Sequence, residues 1–412
     1  MALWRRHLNA LTLLRITKPY KGNMDLTFST SEIAFRDEIR TWLNEHKPVD
    51  QWLPMDTEVG FEQHRIWEQQ LFDAHWSVPS WPERYGGRDC SLIEWLIFEE
   101  EYYLSGAPGR VNTNGITLLG PTLFEWGTEK QKDRFLLPMA QGKEIWAQGW
   151  SEPNTGSDLA SLSTTAVKDG EKYLLNGQKT WCSRGAWADW IFCIVRTDPE
   201  SQRHSGLSYL LVPGDAPGIT RRPVSRLDGE PAFAEIFFED CEVATDNLLG
   251  GEGEGWKVAM ATASSERGLN LRAPGRFLAA ANQLVKLYKS LIQNKQSISP
   301  TLFNKVVDGY TAAQAYRWQV FSKASSLMHG GTMGAEASYM KIFWSELDVD
   351  LHTTALELLG ERGELLFSAR DATEEHNWMS GYLFSLSGPI YAGTNEIQRN
   401  IVAERVLGLP RK

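Results

Sequence analysis

Cysteine is scarce in this chain: four in 412 residues, Cys90, Cys182, Cys193 and Cys241, with no CxxC pair among them. That spacing supports neither a disulfide framework nor a zinc cage. The apolar and turn contexts read instead as buried thiols in a reducing compartment, and no metal is expected. Long apolar runs are lacking as well: no stretch reaches the roughly 18 to 20 residues that a membrane span requires, so no membrane partner is expected. Basic excess is absent. Lys and Arg total 42 against 52 Asp and Glu, a formal charge of −10. This argues against a surface that coats nucleic acid, while leaving room for a local basic pocket facing a phosphorylated ligand. Neither an internal repeat nor a low-complexity tract is present.

What is present is ample core material, 42% hydrophobic and 11% aromatic residues, enough for two or three domains. Residues 1–23 stand apart, because Arg5, Arg6, His7, Arg15, Lys18 and Lys21 occur there with no acidic residue before Asp25. They read as an organelle presequence or as an extension ahead of a true start at Met24. The protein is accordingly expected in the cytoplasm, or in the mitochondrial matrix if the segment is a presequence. From residue 24 to about 146 the apolar spacing is helical: Ile33, Phe35, Ile39, Trp42 and Leu43 fit one face, followed by runs from Phe61 to Trp76 and Leu92 to Tyr103. From 147 to 255 short aliphatic and aromatic runs separated by Asn-Gly, Asp-Pro, Pro-Gly and Asp-Gly predict strands and hairpins. From 256 to 412 helical spacing returns, with Pro274 and Gly275 set to interrupt its first helix. The expected class is α+β: a helical domain, a β domain, then a second helical domain.

Three stretches carry candidate chemistry. "WAQGWSEPNTGSDLASL" (146–162) packs short polar side chains and free backbone N–H groups into one turn that can grip carbonyls or phosphates. "NGQKTWCSRGAWADW" follows about 20 residues later. "IYAGTNEIQRNIVAER" near the end reads as a helix capped by Asn395, with Gln398 completing a capping-box-like pair and Ile397, Ile401 and Val402 as an inward stripe.

Together and in this order, the three stretches resemble the signature regions of the acyl-CoA dehydrogenases, over about residues 25 to 410. The resemblance implies a helical domain, a middle β-barrel and a C-terminal four-helix bundle, with FAD held where they meet. It implies oxidation of an acyl-CoA to its 2,3-enoyl form, with electrons passing to an electron-transfer flavoprotein. Carried onto this sequence, Trp150 and Ser151 face the flavin's pyrimidine edge, Trp181 packs beside the isoalloxazine with Ser183 near N5, Ser157 meets pyrophosphate or the thioester ligand, and Thr394 binds the flavin. The family commonly has a glutamate base where Ala392 stands. Alanine cannot accept a proton, yet it keeps the backbone N–H that polarises the thioester carbonyl.

Some members carry the base on the first C-terminal helix, immediately before an arginine. "ATASSERGLNLRAPGR" places Glu266 directly before Arg267, which makes Glu266 the candidate base and Arg267 its orienting partner. Arg272 and Arg276 are weaker candidates for CoA phosphates. Two departures bear on FAD. The Arg-x-x-Phe-Gly segment is missing, and the Gln-x-x-Gly-Gly-x-Gly segment appears as "ELLGERG", with Glu357 and Glu361 at positions where acid near a pyrophosphate is unfavourable. Such departures resemble the larger subunits of heteromeric bacterial members, which act on bulky thioesters. A homo- or hetero-oligomer is therefore expected. Two other readings compete: a non-catalytic partner that helps hold another subunit's FAD, and nitroalkane oxidation on the same fold, which lacks its carboxylate here.

Overall fold

The computed structural model describes residues 27–50, 52–267, 274–365 and 378–411, except the side chains of residues 265–267. Helices α1 (Thr30–His46), α2 (Glu58–Asp73) and α3 (Leu92–Ser105) open the chain, followed by a π-helical turn (Asn114–Leu119), α4 (Gly120–Trp126) and α5 (Glu129–Ala140). Local chemistry sets their starts. Ser29 with Glu32, Ser91 with Glu94 and Thr128 with Gln131 each close a capping box, satisfying N–H groups that the first turn leaves open. On α1, Phe35, Ile39 and Leu43 are buried as their spacing predicts, whereas Ile33, on the first turn, is exposed.

Strands β1 (Trp146–Gly149), β2 (Thr165–Asp169), β3 (Lys172–Ser183), β4 (Trp190–Arg196), β5 (Leu207–Pro213), β6 (Ile219–Val224), β7 (Phe233–Ala244) and β8 (Leu248–Leu249) form one sheet in the order β6-β7-β3-β2-β4-β5-β8, with β1 parallel to β4. The sheet curls enough to bring β5 near β7, although three strands separate them in the pairing order. The Asn-Gly pair is not a hairpin. Asn176-Gly177 lies inside β3, where the register slips and Gly177 takes φ 143°; a Cβ there would sit 2.8 Å from the Thr164 Cα, so the close approach of that backbone requires glycine. The β2–β3 turn uses Asp169-Gly170 instead.

Helical structure resumes with α6 (Gly255–Arg267), and α7 begins at Gly275, directly after Pro274, and runs to Gln293; the stretch between Arg267 and Pro274, where the expected interruption falls, lies outside the described residues. Helices α8 (Pro300–Met328) and α9 (Glu336–Leu359) follow, then the short α10 (Trp378–Ser385) and α11 (Asn395–Ile401). The two helical regions share one core: Phe35, Leu43, Trp95 and Phe98 of the first pack with Phe277, Leu284, Tyr316 and Trp344 of the second. A second core joins the π-turn and α4 to the sheet and α6 through Leu119, Leu123, Phe192, Tyr209 and Val258. The β domain is thus set into the middle of a single helical body, and the three signature stretches fall at its seams.

Candidate active site

The turn after β1 is held from beneath by a buried ion pair. Lys179, fully buried on β3, donates to Glu152 Oε1 at 2.8 Å and to the Trp150 carbonyl at 3.2 Å. The Glu152 carboxylate also accepts from the Ser163 N–H and hydroxyl (2.7 and 2.8 Å) and from the Thr164 N–H (2.9 Å). Burial alone would push this carboxyl up, but the Lys179 charge and these donors outweigh it and hold the group down to about 2. Glu152 and Thr155 exchange backbone hydrogen bonds at 2.9 and 3.0 Å, which closes the turn. The Thr180 N–H meets the Ser151 carbonyl at 2.9 Å, which sets Trp150 and Ser151 beside Trp181. Neither Glu152 nor Lys179 was singled out by sequence reasoning. The available signal was that Lys179 falls on the same alternation as the buried Tyr173 and Leu175 of its strand.

Trp181 is unusual twice over. Its φ of 59° is left-handed, at a register break between Lys179 and Cys182, and its ring is 61% exposed, touching Phe233 edge-on. A tryptophan held in this conformation costs on the order of 1 kcal/mol and buries little in return, the signature of a residue shaped for something other than stability. Ser183, half-buried, ends the same strand, whereas Ser157 lies on the exposed arm of the turn. The indole N–H of Trp150 and the hydroxyl of Thr155 are buried without a hydrogen-bond partner among the described residues.

The C-terminal turn has the same strained character. Ala392 (φ 56°) and Gly393 (φ 78°) are consecutive left-handed residues. Gln398 braces them by donating to both carbonyls at 3.2 Å. The cap of α11 is Thr394, one residue earlier than the spacing predicts; its hydroxyl accepts from the Ile397 N–H at 3.3 Å. The expected inward apolar stripe is reversed. Asn395 and Gln398 are buried, and Asn395 accepts from Lys341 at 2.8 Å and from Ser345 at 3.1 Å, while Ile397 faces outward. Polar groups on α9 select the polar face.

A run of contacts links the two turns. Arg184, beside Ser183, lies 3.9 Å from Asp56, which pairs with Arg226 at 2.9 Å. The Arg226 and Arg276 guanidinium groups lie 5.7 and 5.2 Å from the centre of the Phe384 ring, and Phe384 touches Tyr391. Arg276 does not present itself to a phosphate: it donates to Asp348 at 2.6 Å and bonds Tyr391, and these partners hold its charge firmly despite burial. Arg272 and the side chains of Glu266 and Arg267 lie outside the described residues. The position of α6 is nonetheless fixed, because Thr262, one turn before Glu266, meets Thr122 at 2.9 Å and Tyr209 at 3.3 Å. Glu357, the acidic replacement near the expected phosphate segment, is neutralised by Lys305 at 2.7 Å, and Glu361 is exposed. Among the described residues no cluster could hold a metal ion, and no helix is long and apolar enough to cross a membrane.

Two strained, half-exposed turns thus stand in this helix–sheet–helix chain, one of them with two buried polar groups, the Trp150 indole N–H and the Thr155 hydroxyl, that have no partner among the described residues. The chain matches the family models for the N-terminal (residues 29–143), middle (147–241) and C-terminal (253–407) domains of acyl-CoA dehydrogenase, and it belongs to that family of FAD-dependent oxidoreductases. It is 38% identical over 386 residues to acyl-CoA dehydrogenase IpdE1 of Mycobacterium tuberculosis, covering 92% of this chain and 98% of that one, and 40% identical over 395 residues to IpdE1 of Mycolicibacterium smegmatis, with the same coverage. Among solved structures it resembles the steroid ACAD Tcur3481-Tcur3483 (TM-score 0.84, 27% identity, 94% of this chain and 100% of that one). It also resembles the ChsE4-ChsE5 complex of M. tuberculosis (TM-score 0.80, 29% identity, 94% and 100%).

Proposed function

We propose that this enzyme desaturates a bulky acyl-CoA thioester between C2 and C3, with Glu266 as the base that takes the α-proton. The observation that carries the reading is the pair formed by Ala392, which offers a backbone N–H but no carboxylate, and an acid followed by arginine at the end of α6. The Ala392 N–H polarises the thioester carbonyl and makes the α-proton more acidic. Glu266 receives that proton, and Arg267 orients its carboxylate. Trp150, Ser151, Trp181, Ser183 and Thr394 hold FAD, and Ser157 meets its phosphates or the thioester ligand. Bound FAD supplies the acceptor for the β-hydrogen and its electron pair, which leave as hydride. An electron-transfer flavoprotein then takes the electrons onward.

Glu266→Gln tests the assignment. The variant retains its flavin but loses thioester-dependent bleaching by roughly 10²- to 10⁴-fold. Bleaching at the parent rate rejects Glu266 as base.

A second reading, an oligomer in which the FAD site is shared with an unlike chain, is favoured by the outward apolar groups Ile390, Ile397 and Leu407, exposed at 65%, 36% and 65%, and by solved relatives described as two-component assemblies. Colour separates the two readings. A protein that is yellow when expressed alone holds FAD by itself, whereas one that becomes yellow only on co-expression with a partner shares it.

A further inference from the structure

The C-terminal turn places an alanine at φ 56°, where a Cβ crowds the carbonyl that follows it. One side chain holds it there. Gln398 is fully buried, and its amide nitrogen donates to the carbonyl oxygens of both Ala392 and Gly393 at 3.2 Å. Since both partners are acceptors, the NH2 end of the amide must face the turn. The glutamine is itself held. Its backbone N–H bonds the Thr394 carbonyl at 2.9 Å, and α11 is pinned to α9 where Asn395 accepts from Lys341 at 2.8 Å and from Ser345 at 3.1 Å. The ends of the loop are closed by the Tyr391 N–H on the Ser387 carbonyl (3.0 Å) and the Asn395 N–H on the Pro389 carbonyl (2.8 Å).

These bonds decide where the donors of the turn point. In a trans peptide C=O and N–H are antiparallel, so gathering the Ala392 and Gly393 carbonyls onto one amide sends the N–H groups of Gly393 and Thr394 to the opposite side. The Ala392 N–H lies just before the first of these two planes. With that plane held, the backbone angles of Ala392 set its direction. Among the described residues, none of the three N–H groups has an acceptor. The turn is therefore a short row of donors preorganised from behind by one buried amide.

We propose that Gln398 is a positioning residue for thioester activation, aiming the Ala392 N–H at the thioester carbonyl through the backbone rather than by touching the substrate. The inference rests on the function proposed above. Without the amide, two inward carbonyls lose their donor and Ala392 is free to leave its crowded conformation, which turns the N–H away while Glu266 stays in place.

The test uses one ring-bearing pair, 3-(4-dimethylaminophenyl)propanoyl-CoA as substrate and its enoyl product 4-dimethylaminocinnamoyl-CoA, whose absorption moves to the red as its carbonyl is polarised. FAD-loaded parent, Gln398→Met and Gln398→Glu are compared. The parent turns the substrate over and red-shifts the bound product. Gln398→Met keeps its flavin and a KM within about threefold, but loses most of the red shift and roughly 10- to 100-fold in kcat. In Gln398→Glu the new carboxyl faces two carbonyls, and only its protonated form can donate to them, so its kcat relative to the parent is higher at pH 6 than at pH 9. This variant also supplies the comparison if Gln398→Met misfolds. Gln398→Met melting lower while keeping kcat and red shift makes the residue purely structural and overturns the proposal, as does a Gln398→Glu activity that does not rise relative to the parent on acidification. Neither result touches the base, which Glu266→Gln tests separately. A parent with neither turnover nor red shift overturns the proposed function and this role with it.

Discussion

Replacing Lys179 by methionine removes the charge beneath the Trp150–Glu152 turn while keeping most of its volume. In the parent the Glu152 carboxyl is held at about 2 against an ordinary 4.5, a difference equivalent to roughly 3 kcal/mol of folded-state stability. Because the folded value is the lower one, this stabilisation is complete above pH 4.5 and is lost as pH falls toward 2. Without Lys179, burial is opposed only by Ser163 and Thr164, and Glu152 becomes a buried, half-satisfied charge. Breaking such a pair costs about 3 to 5 kcal/mol. With an unfolding entropy near 0.9 kcal/mol/K for a cooperative chain of about 400 residues, the melting temperature at pH 7 falls by roughly 4 to 6 °C. The pH dependence is the sharper readout. The parent keeps less than half of the pair's contribution at pH 3, and the variant has none to lose, so the gap narrows by roughly 2 kcal/mol between pH 7 and pH 3. Thermal melts followed by circular dichroism at both pH values measure it, and Glu152→Gln/Lys179→Met recovers most of the pH 7 loss. A gap that stays constant with pH, or a single variant melting within 1 °C of the parent, would falsify the assignment of this stability to the ion pair.

Two further outcomes follow from backbone geometry. Trp181→Gly melts above Trp181→Ala by an amount equivalent to about 1 kcal/mol, because only glycine takes the φ of 59° without strain, while both variants lose flavin affinity; equal melting points show that the turn relaxes. Gly275→Ala costs about 1 to 3 kcal/mol in thermal unfolding, since the new Cβ stands 2.7 Å from the Glu100 Cα and α7 must move off α3; a neutral result shows that the helices separate freely.

The order of helices, strands and helices was legible because periodicity is written locally: Phe35, Ile39 and Leu43 repeat at helical spacing, and the strands of the middle domain alternate or run apolar between turn residues. The start of α7 directly after Pro274 was legible for the same reason, since proline acts on its own backbone. Local signals misled where a distant element decided. Asn176-Gly177 has the composition of a hairpin, but the backbone of Thr164 pressing on Gly177 makes it a bulge within β3. Asn395 has the composition of a cap, but Lys341 and Ser345 on α9 draw its side chain inward and leave capping to Thr394. For the candidate site, Trp150, Ser151, Trp181 and Thr394 were nominated by resemblance to a family, whereas Glu152 and Lys179 beneath them were not. Their significance lies in partners gained across long sequence separations.

The core shared by the first and last helices also has a consequence in time. The apolar faces of α1 and α3 are completed only by Phe277, Leu284, Tyr316 and Trp344, which the ribosome delivers after the entire sheet domain. At ordinary rates of synthesis, the roughly 180 to 310 intervening residues take on the order of 10 to 60 seconds. For that interval Phe35, Trp95 and Phe98 wait on the nascent chain without their permanent neighbours, exposed to holdase chaperones and to other unfinished chains.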